Sequence, residues 1–166
     1  MRIKSYSHIA FNVRDMEAML RFYCEGLGMK IKFTLTAKDI VDYAKQDPEE
    51  KSEIAKMHIA RAEKMGDTPL ITYVEMAPNQ FIEFFYCYSP LEEQKHLADC
   101  YGYQHLALQV ENLEEAYESI VSKGIVPDTP IDRGPDYTRQ FWIHDPEGNR
   151  IEIMEYTPKS FQIVGK

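Results

Sequence analysis

Two histidines and two glutamates, set out twice in the same order, are the residues of this chain best suited to chemistry. His8 stands in SHIAFNV and His105 in QHLALQV, stretches that match in a histidine, an alanine, a polar amide, a valine and the apolar residues between them. Glu83 follows the first in NQFIEFFYCYSP, and Glu152 follows the second in GNRIEIMEYTP, each behind an isoleucine in an apolar run closed by proline. A single histidine on a strand is usually a packing residue, and a single glutamate there is usually at a rim. Packing alone does not require both to recur at equivalent places. Two imidazoles and two carboxylates make a donor set for a divalent first-row ion. Two carboxylates balance a 2+ charge, which makes burial of the site tolerable. Four protein ligands on a six-coordinate ion leave two positions for water or substrate, which suits Lewis-acid chemistry on a carbonyl or enediolate.

The elements that must position these groups follow from periodicity. Alternate residues of a strand share a face. His8, Ala10 and Asn12 point one way, and Ile9, Phe11 and Val13 the other. His105, Ala107 and Gln109 oppose Leu106, Leu108 and Val110. Glu83, Phe85 and Cys87 oppose Ile82 and Phe84, and Glu152, Met154 and Tyr156 oppose Ile151 and Ile153. The all-apolar sets are expected beneath the helices of their own unit, which leaves histidine and glutamate together on the other face. Paired, curved sheets would bring all four side chains to one cavity.

Each histidine strand is followed by an amphipathic helix closing on glycine. RDMEAMLRFYCEGLGMKI has Asp15 as its cap, with Met16, Leu20 and Phe22 or Tyr23 buried. ENLEEAYESIVSKGIVP has Asn112 and Glu115 as a capping box and Gly124 as the left-handed end. Strands are expected near 5–13, 29–36, 69–77 and 80–88, and again near 103–110, 125–130, 137–144 and 149–156, with DPEGN at 145–149 as a turn. Residues 38–66 have no counterpart in the second unit and read as a helical insertion. Asp47, Pro48 and Glu50 would start a helix whose buried stripe is Ile54, Met57, Ala62 and Met65. The expected organisation is a first module over 1–88 with its insertion at about 38–66, a linker over 89–102, and a second module with a tail over 103–166. His58, His96 and His144 have no matching partner and are assigned surface, linker and turn roles.

Composition bounds the function. The chain has 166 residues, 44% of them hydrophobic, and a formal net charge of −8, which disfavours nucleic acid and anionic membrane as partners. No apolar run approaches the roughly 18 residues of a membrane span, and the N-terminal apolar stretch is too short for a signal peptide. Cys24, Cys87 and Cys100 are odd in number and form no CxxC. They read as reduced thiols of a cytoplasmic protein, with Cys87 a small hydrophobe in an aromatic strand.

HIAFNV, HLALQV and DPEGNRIEIMEY resemble the vicinal-oxygen-chelate superfamily, which includes glyoxalase I, methylmalonyl-CoA epimerase, extradiol dioxygenases and bleomycin-binding proteins. The resemblance spans all but the insertion and the last ten residues. It implies an α+β fold of two tandem βαβββ modules, the glyoxalase/bleomycin-resistance/dioxygenase fold. His8, Glu83, His105 and Glu152 match the metal ligands of bacterial-type glyoxalase I. By that resemblance the ion is nickel, zinc, cobalt or manganese, Glu152 is the catalytic base with Glu83 second, and the chain forms a homodimer. Asn12 stands where that enzyme has a glutathione-binding arginine, and Cys87 where it has an asparagine. These substrate-side positions therefore point away from glutathione, and Met154 is a further position expected to meet the substrate. Arg139 matches an arginine recurrent in several subfamilies and is expected to meet an anionic substrate group. The implied activity is that of a metal-dependent isomerase or lyase that stabilises the enediolate of a small vicinal-oxygen substrate. The alternatives are a sequestering resistance module without catalysis, an acyl-CoA epimerase, and a dioxygenase.

Overall fold

The period-two patterns fold as strands wherever donors are free to pair. The structure, a computed structural model, describes residues 4–46, 56, 59–60, 62–91 and 102–165. The expected helix start at Asp47, Pro48 and Glu50 lies outside the described residues, as do Ile54, Met57, His58, His96, Cys100 and most of the 89–102 linker.

The first four strands are β1 (His8–Val13), β2 (Lys30–Thr36), β3 (Pro69–Ala77) and β4 (Gln80–Tyr86). They form a mixed sheet of order β1-β4-β3-β2, with β1 parallel to β4 and the other pairs antiparallel. A second sheet of the same plan, β5-β8-β7-β6, is built from β5 (Leu106–Gln109), β6 (Asp132–Arg133), β7 (Arg139–His144) and β8 (Arg150–Glu155). The fold is thus α+β with two equivalent sheets. The expected strand over 125–130 is absent: these residues form an irregular connection, and only Asp132–Arg133 pairs with β7. Pro127 and Pro130 interrupt the segment, and proline cannot donate to a ladder.

Register confirms the parity. In the first sheet Ile9 lies beside Ile82 and Phe11 beside Phe84, while Ala10 lies beside Glu83. In the second, Leu106, Ile151 and Ile143 share one row and Leu108, Ile153 and Phe141 the next, with Ala107, Glu152 and Trp142 on the opposite face. Ile82, Phe84, Phe141, Ile143 and Ile151 are wholly buried. Both tight hairpins turn on a left-handed residue four before the glutamate: Asn79 (φ 60°) and Gly148 (φ 83°). Asparagine and glycine are the residues that tolerate this conformation best.

The chain divides into two compact units, Met1–Met16 with Met29–Pro90, and Glu17–Gly28 with Leu91–Lys166. The helix after β1 therefore packs in the second unit, not beneath its own strands. It begins as α1 (Met16–Leu20) and continues as a π-helical turn, Arg21–Gly26, closed by Leu27 N–H donating to Phe22 O at 2.9 Å. Met19 and Tyr23, four apart on one face, are fully buried, whereas Met16 and Leu20 are only partly so. Tyr23 Oη donates to Asp145 Oδ2 at 3.0 Å, and Lys123 Nζ donates to Gly26 O at 3.0 Å. At Gly26 a Cβ would come within 2.7 Å of Ile125 Cδ1.

Helix α3 (Leu113–Ser122) starts as its sequence requires. Asn112 Oδ1 accepts from Glu115 N at 3.1 Å, and Asn112 Nδ2 donates to Glu115 Oε1 at 2.8 Å. Gly124 (φ 83°) ends the helix. In the first unit α2 (Ala37–Gln46) opens the insertion behind a reciprocal cap in which Thr36 N donates to Asp39 Oδ2 and Asp39 N to Thr36 Oγ1. Ala37, Val41 and Ala62 form its core, with Ile59, Met65 and Leu70 packed against them. A last short helix, α4 (Phe161–Val164), ties to Asp136: Phe161 N donates to Asp136 O at 2.9 Å. Among the described residues no helix is long and apolar enough to cross a membrane.

Candidate metal centre

Each unit presents one histidine beside one glutamate. In the first, His8 Nε2 is 3.5 Å from Glu83 Oε2, and in the second His105 Nε2 is 3.4 Å from Glu152 Oε2. Parallel pairing sets this up: each glutamate sits beside the alanine two residues past its histidine, on the same face. Glu83 and Glu152 are both buried, at 8% and 9% exposure. Among the described residues no three His, Cys, Asp or Glu side chains gather into one group; the recurring feature is the pair.

A third member of each pair is an aromatic ring that periodicity alone did not single out. Tyr73 lies directly across β3–β4 from Glu83, and Trp142 directly across β7–β8 from Glu152. Both stand edge-on to the histidine: His8 to Tyr73 at 5.9 Å and 72°, His105 to Trp142 at 5.0 Å and 79°. The signal was present as spacing, since 83 − 73 and 152 − 142 both equal 10.

The two carboxylates differ in their support. Tyr73 Oη donates to Glu83 Oε1 at 2.7 Å, and the Tyr73 ring is stacked on Phe33 at 4.5 Å. Burial, reinforced by the bond to Glu83 and its charge, pushes the Tyr73 hydroxyl up to about 12, so it remains a donor. Among the described residues Glu152 has no such clamp. Burial raises its carboxyl above the ordinary value, with the neighbouring His105 pulling the other way.

The donor atoms fit a divalent ion. Charge-assisted N–H···O bonds run near 2.7–2.9 Å, shorter than either His–Glu separation. Two ligands bonded at about 2.1 Å to one ion stand about 3.0 Å apart at a right angle and about 3.4 Å apart at the tetrahedral angle. The observed 3.4 Å lies at the upper end of that span and 3.5 Å just beyond it. His105 Nδ1 is buried with no hydrogen-bond partner among the described residues, an orphan that costs about 1–3 kcal/mol unless something outside those residues satisfies it.

The remaining expected site residues divide. Asn12 is exposed on the His8 face, in register with Phe85. Met154 is buried on the Glu152 face between Gln109 and Gln140. Cys87 falls one residue past β4, partly buried, with Sγ 3.8 Å from Phe85 O, and is a free thiol. Arg139 corrects its expectation. It shares the parity of Phe141 and Ile143 on the helix-packed face, its guanidinium is bonded to Glu114, and Glu155 is 3.7 Å away. It staples β7 to the start of α3 and faces away from Glu152. His144, at the end of β7, is held through Nδ1 by Asp128 Oδ2 at 2.5 Å.

Residues 5–153 match the family model of the Glyoxalase/Bleomycin resistance protein/Dioxygenase superfamily. The chain belongs to this superfamily. Among solved structures, a glyoxalase family protein from Enterococcus faecalis is similar at 21% identity and a TM-score of 0.64, over 93% of this chain and 100% of that one. A member of the same superfamily from Sphaerobacter thermophilus is similar at 18% and 0.58, over 93% and 98%. A lactoylglutathione lyase from Agrobacterium tumefaciens is similar at 14% and 0.57, over 93% and 96%. At these identities the likeness is one of fold. No curated protein matches the sequence.

Proposed function

We propose that His8, Glu83, His105 and Glu152 are ligands for divalent metal, and that the protein is an isomerase or lyase of the glyoxalase I type. The observation that carries this is the duplicated pair: two histidines, each facing a buried glutamate at nearly the same separation, each backed by a ring across the hairpin. A bound ion would polarise two vicinal oxygens of a small substrate and acidify the adjoining C–H. The chain's own residues then divide the work. Glu83, with one oxygen fixed by Tyr73, is the anchored carboxylate. Glu152, without a hydroxyl clamp among the described residues, is the one free to take the proton from one carbon through a carboxylate oxygen and return it to the next. Asn12 and Met154 line the same faces and meet the substrate. The free thiol of Cys87 suits a reducing, cytoplasmic setting, and we assign the protein to a homodimer, which light scattering tests.

Elemental analysis of protein purified without chelator is expected to find nickel, zinc, cobalt or manganese. Glu152→Gln should abolish turnover of a vicinal-oxygen substrate, such as a hemithioacetal, while most of the metal stays bound. Full turnover in metal-loaded Glu152→Gln would overturn the base assignment. Protein that cannot be loaded with any of the four ions would favour a sequestering module.

A further inference from the structure

The glutamate face of the second sheet carries a cation that the metal reading leaves unused. Arg150, Glu152 and Met154 alternate along β8 on that face, and Arg150 lies opposite His144 as Glu152 lies opposite Trp142. The Arg150 guanidinium sits over the Trp142 ring, with Cζ 4.4 Å from the centroid, and that ring stands edge-on to His105. Arginine, indole and imidazole therefore form a continuous row ending at the proposed ligands.

Among the described residues the charge of Arg150 is not taken up by an ion pair. Among the described residues no carboxylate pairs with it and no acceptor bonds to it. Asp128, the acid across from β7, lies against His144 instead, Oδ2 to Nδ1. Glu152 lies two residues along the strand and forms no ion pair with Arg150. Arg139 and Arg21, by contrast, are each taken by a glutamate. A guanidinium lying on an aromatic ring has one face covered, and its N–H donors radiate in its own plane. In that plane it can grip an oxyanion with two parallel bonds. Residues two apart on a strand are about 6.6 Å apart, so an anionic group held there keeps the adjoining carbons within reach of the Glu152 carboxylate. The arginine would also offset the repulsion between an anionic substrate and this face's glutamate.

We propose that Arg150, stacked on Trp142, is the anion-binding residue of this site, and that the substrate is a small oxyanion whose carboxylate or phosphate lies within a few bonds of the reacting carbon. The assignment rests on the function proposed above for its chemistry, but Arg150 itself can be tested without metal or turnover. Trp142 is the sole tryptophan, so its emission reports directly on the ring beneath the guanidinium. Chelator-stripped protein is titrated at constant ionic strength with sodium lactate, with neutral lactamide and with inorganic phosphate. Lactate should give a saturable change and lactamide none, and the phosphate arm shows which oxyanion is preferred. In Arg150→Gln the half-saturating lactate concentration should rise roughly ten- to a hundredfold, as loss of a charge-assisted pair implies. Arg150→Lys, which keeps the charge but loses the planar fork, should fall between. Circular dichroism confirms folding of each variant.

A flat lactate titration in the wild type, an equal response to lactamide, or unchanged lactate binding in Arg150→Gln would overturn the assignment. The same titration on zinc-loaded protein separates the two proposals. A response that needs zinc and survives Arg150→Gln belongs to the ion and counts against Arg150. Failure to take up zinc bears on the metal centre alone and leaves the stripped-protein titration standing.

Discussion

Replacing Tyr23 with phenylalanine tests how the second unit holds the helical segment that precedes β2. Asp145 is buried at 5% exposure and accepts four bonds. Oδ1 takes Glu147 N at 3.0 Å and Asn149 N at 2.9 Å; Oδ2 takes Asn149 Nδ2 at 2.8 Å and Tyr23 Oη at 3.0 Å. Phenylalanine keeps the ring and removes the hydroxyl that makes the last of these bonds. A hydrogen bond to a charged group contributes about 1.5–3 kcal/mol. Because Oδ2 keeps its amide donor, the loss should lie near the low end, about 1.5–2 kcal/mol. For a chain of this size that lowers the melting temperature by roughly 3–8 °C. Urea unfolding followed by far-ultraviolet circular dichroism should show a lower midpoint with an unchanged slope.

Alkaline pH supplies a second readout of the same bond. Burial, then the charge and hydrogen bond of Asp145, raises the Tyr23 hydroxyl well above 10. The unfolded chain releases that proton near pH 10 while the folded chain retains it. The contribution is therefore fully present below about pH 10 and is lost above it, at up to about 1.4 kcal/mol per pH unit. The gap between wild type and Tyr23→Phe should therefore narrow from pH 9 to 11. A variant within about 0.5 kcal/mol of wild type at pH 8, the range of ordinary surface changes, would refute this account. So would a gap that does not change with pH.

Two further substitutions probe the framework. Tyr73→Phe frees Glu83 Oε1 and should weaken metal binding by roughly ten- to a hundredfold, as loss of an outer-shell partner does; competition with a chromogenic chelator measures it, and wild-type affinity would count against the anchored role of Glu83. Asn112→Ala removes the cap of α3 and should cost about 1 kcal/mol, read as a lower urea midpoint, with Asn112→Asp close to wild type.

Much of the candidate site's placement was legible because strand parity is a strict rule. One histidine and one alternation place Glu83 and Glu152 on the histidine faces, and the register agrees. Asn112, Glu115, Gly124 and the DPEGN turn acted through local bonds that neighbouring residues decide. What was missed depended on partners distant in sequence or on the same rules left unapplied. Arg139 stands two residues before Phe141, so its parity already placed it with the helix-packed face. The Thr36–Asp39 cap is a local motif of the same kind as Asn112–Glu115, overlooked beside the stronger-looking Asp47–Pro48. The stripe of the first helix could not reveal which sheet it covers. Met19 and Tyr23 are buried, more than Met16 and Leu20, in a segment that packs with strands far along the chain. Pro127 and Pro130 were readable warnings against a strand over 125–130.

That distant docking also bears on synthesis. Tyr23 and its acceptor Asp145 are 122 positions apart, about 6–24 seconds of elongation at 5–20 residues per second. For that interval the nascent helix carries Met19 and Tyr23 with no sheet to receive them, while the strands on either side of it in sequence can already pair. The first unit can therefore condense around a stretch of chain it never keeps, and the second is completed only when its own strands reach a helix made long before them.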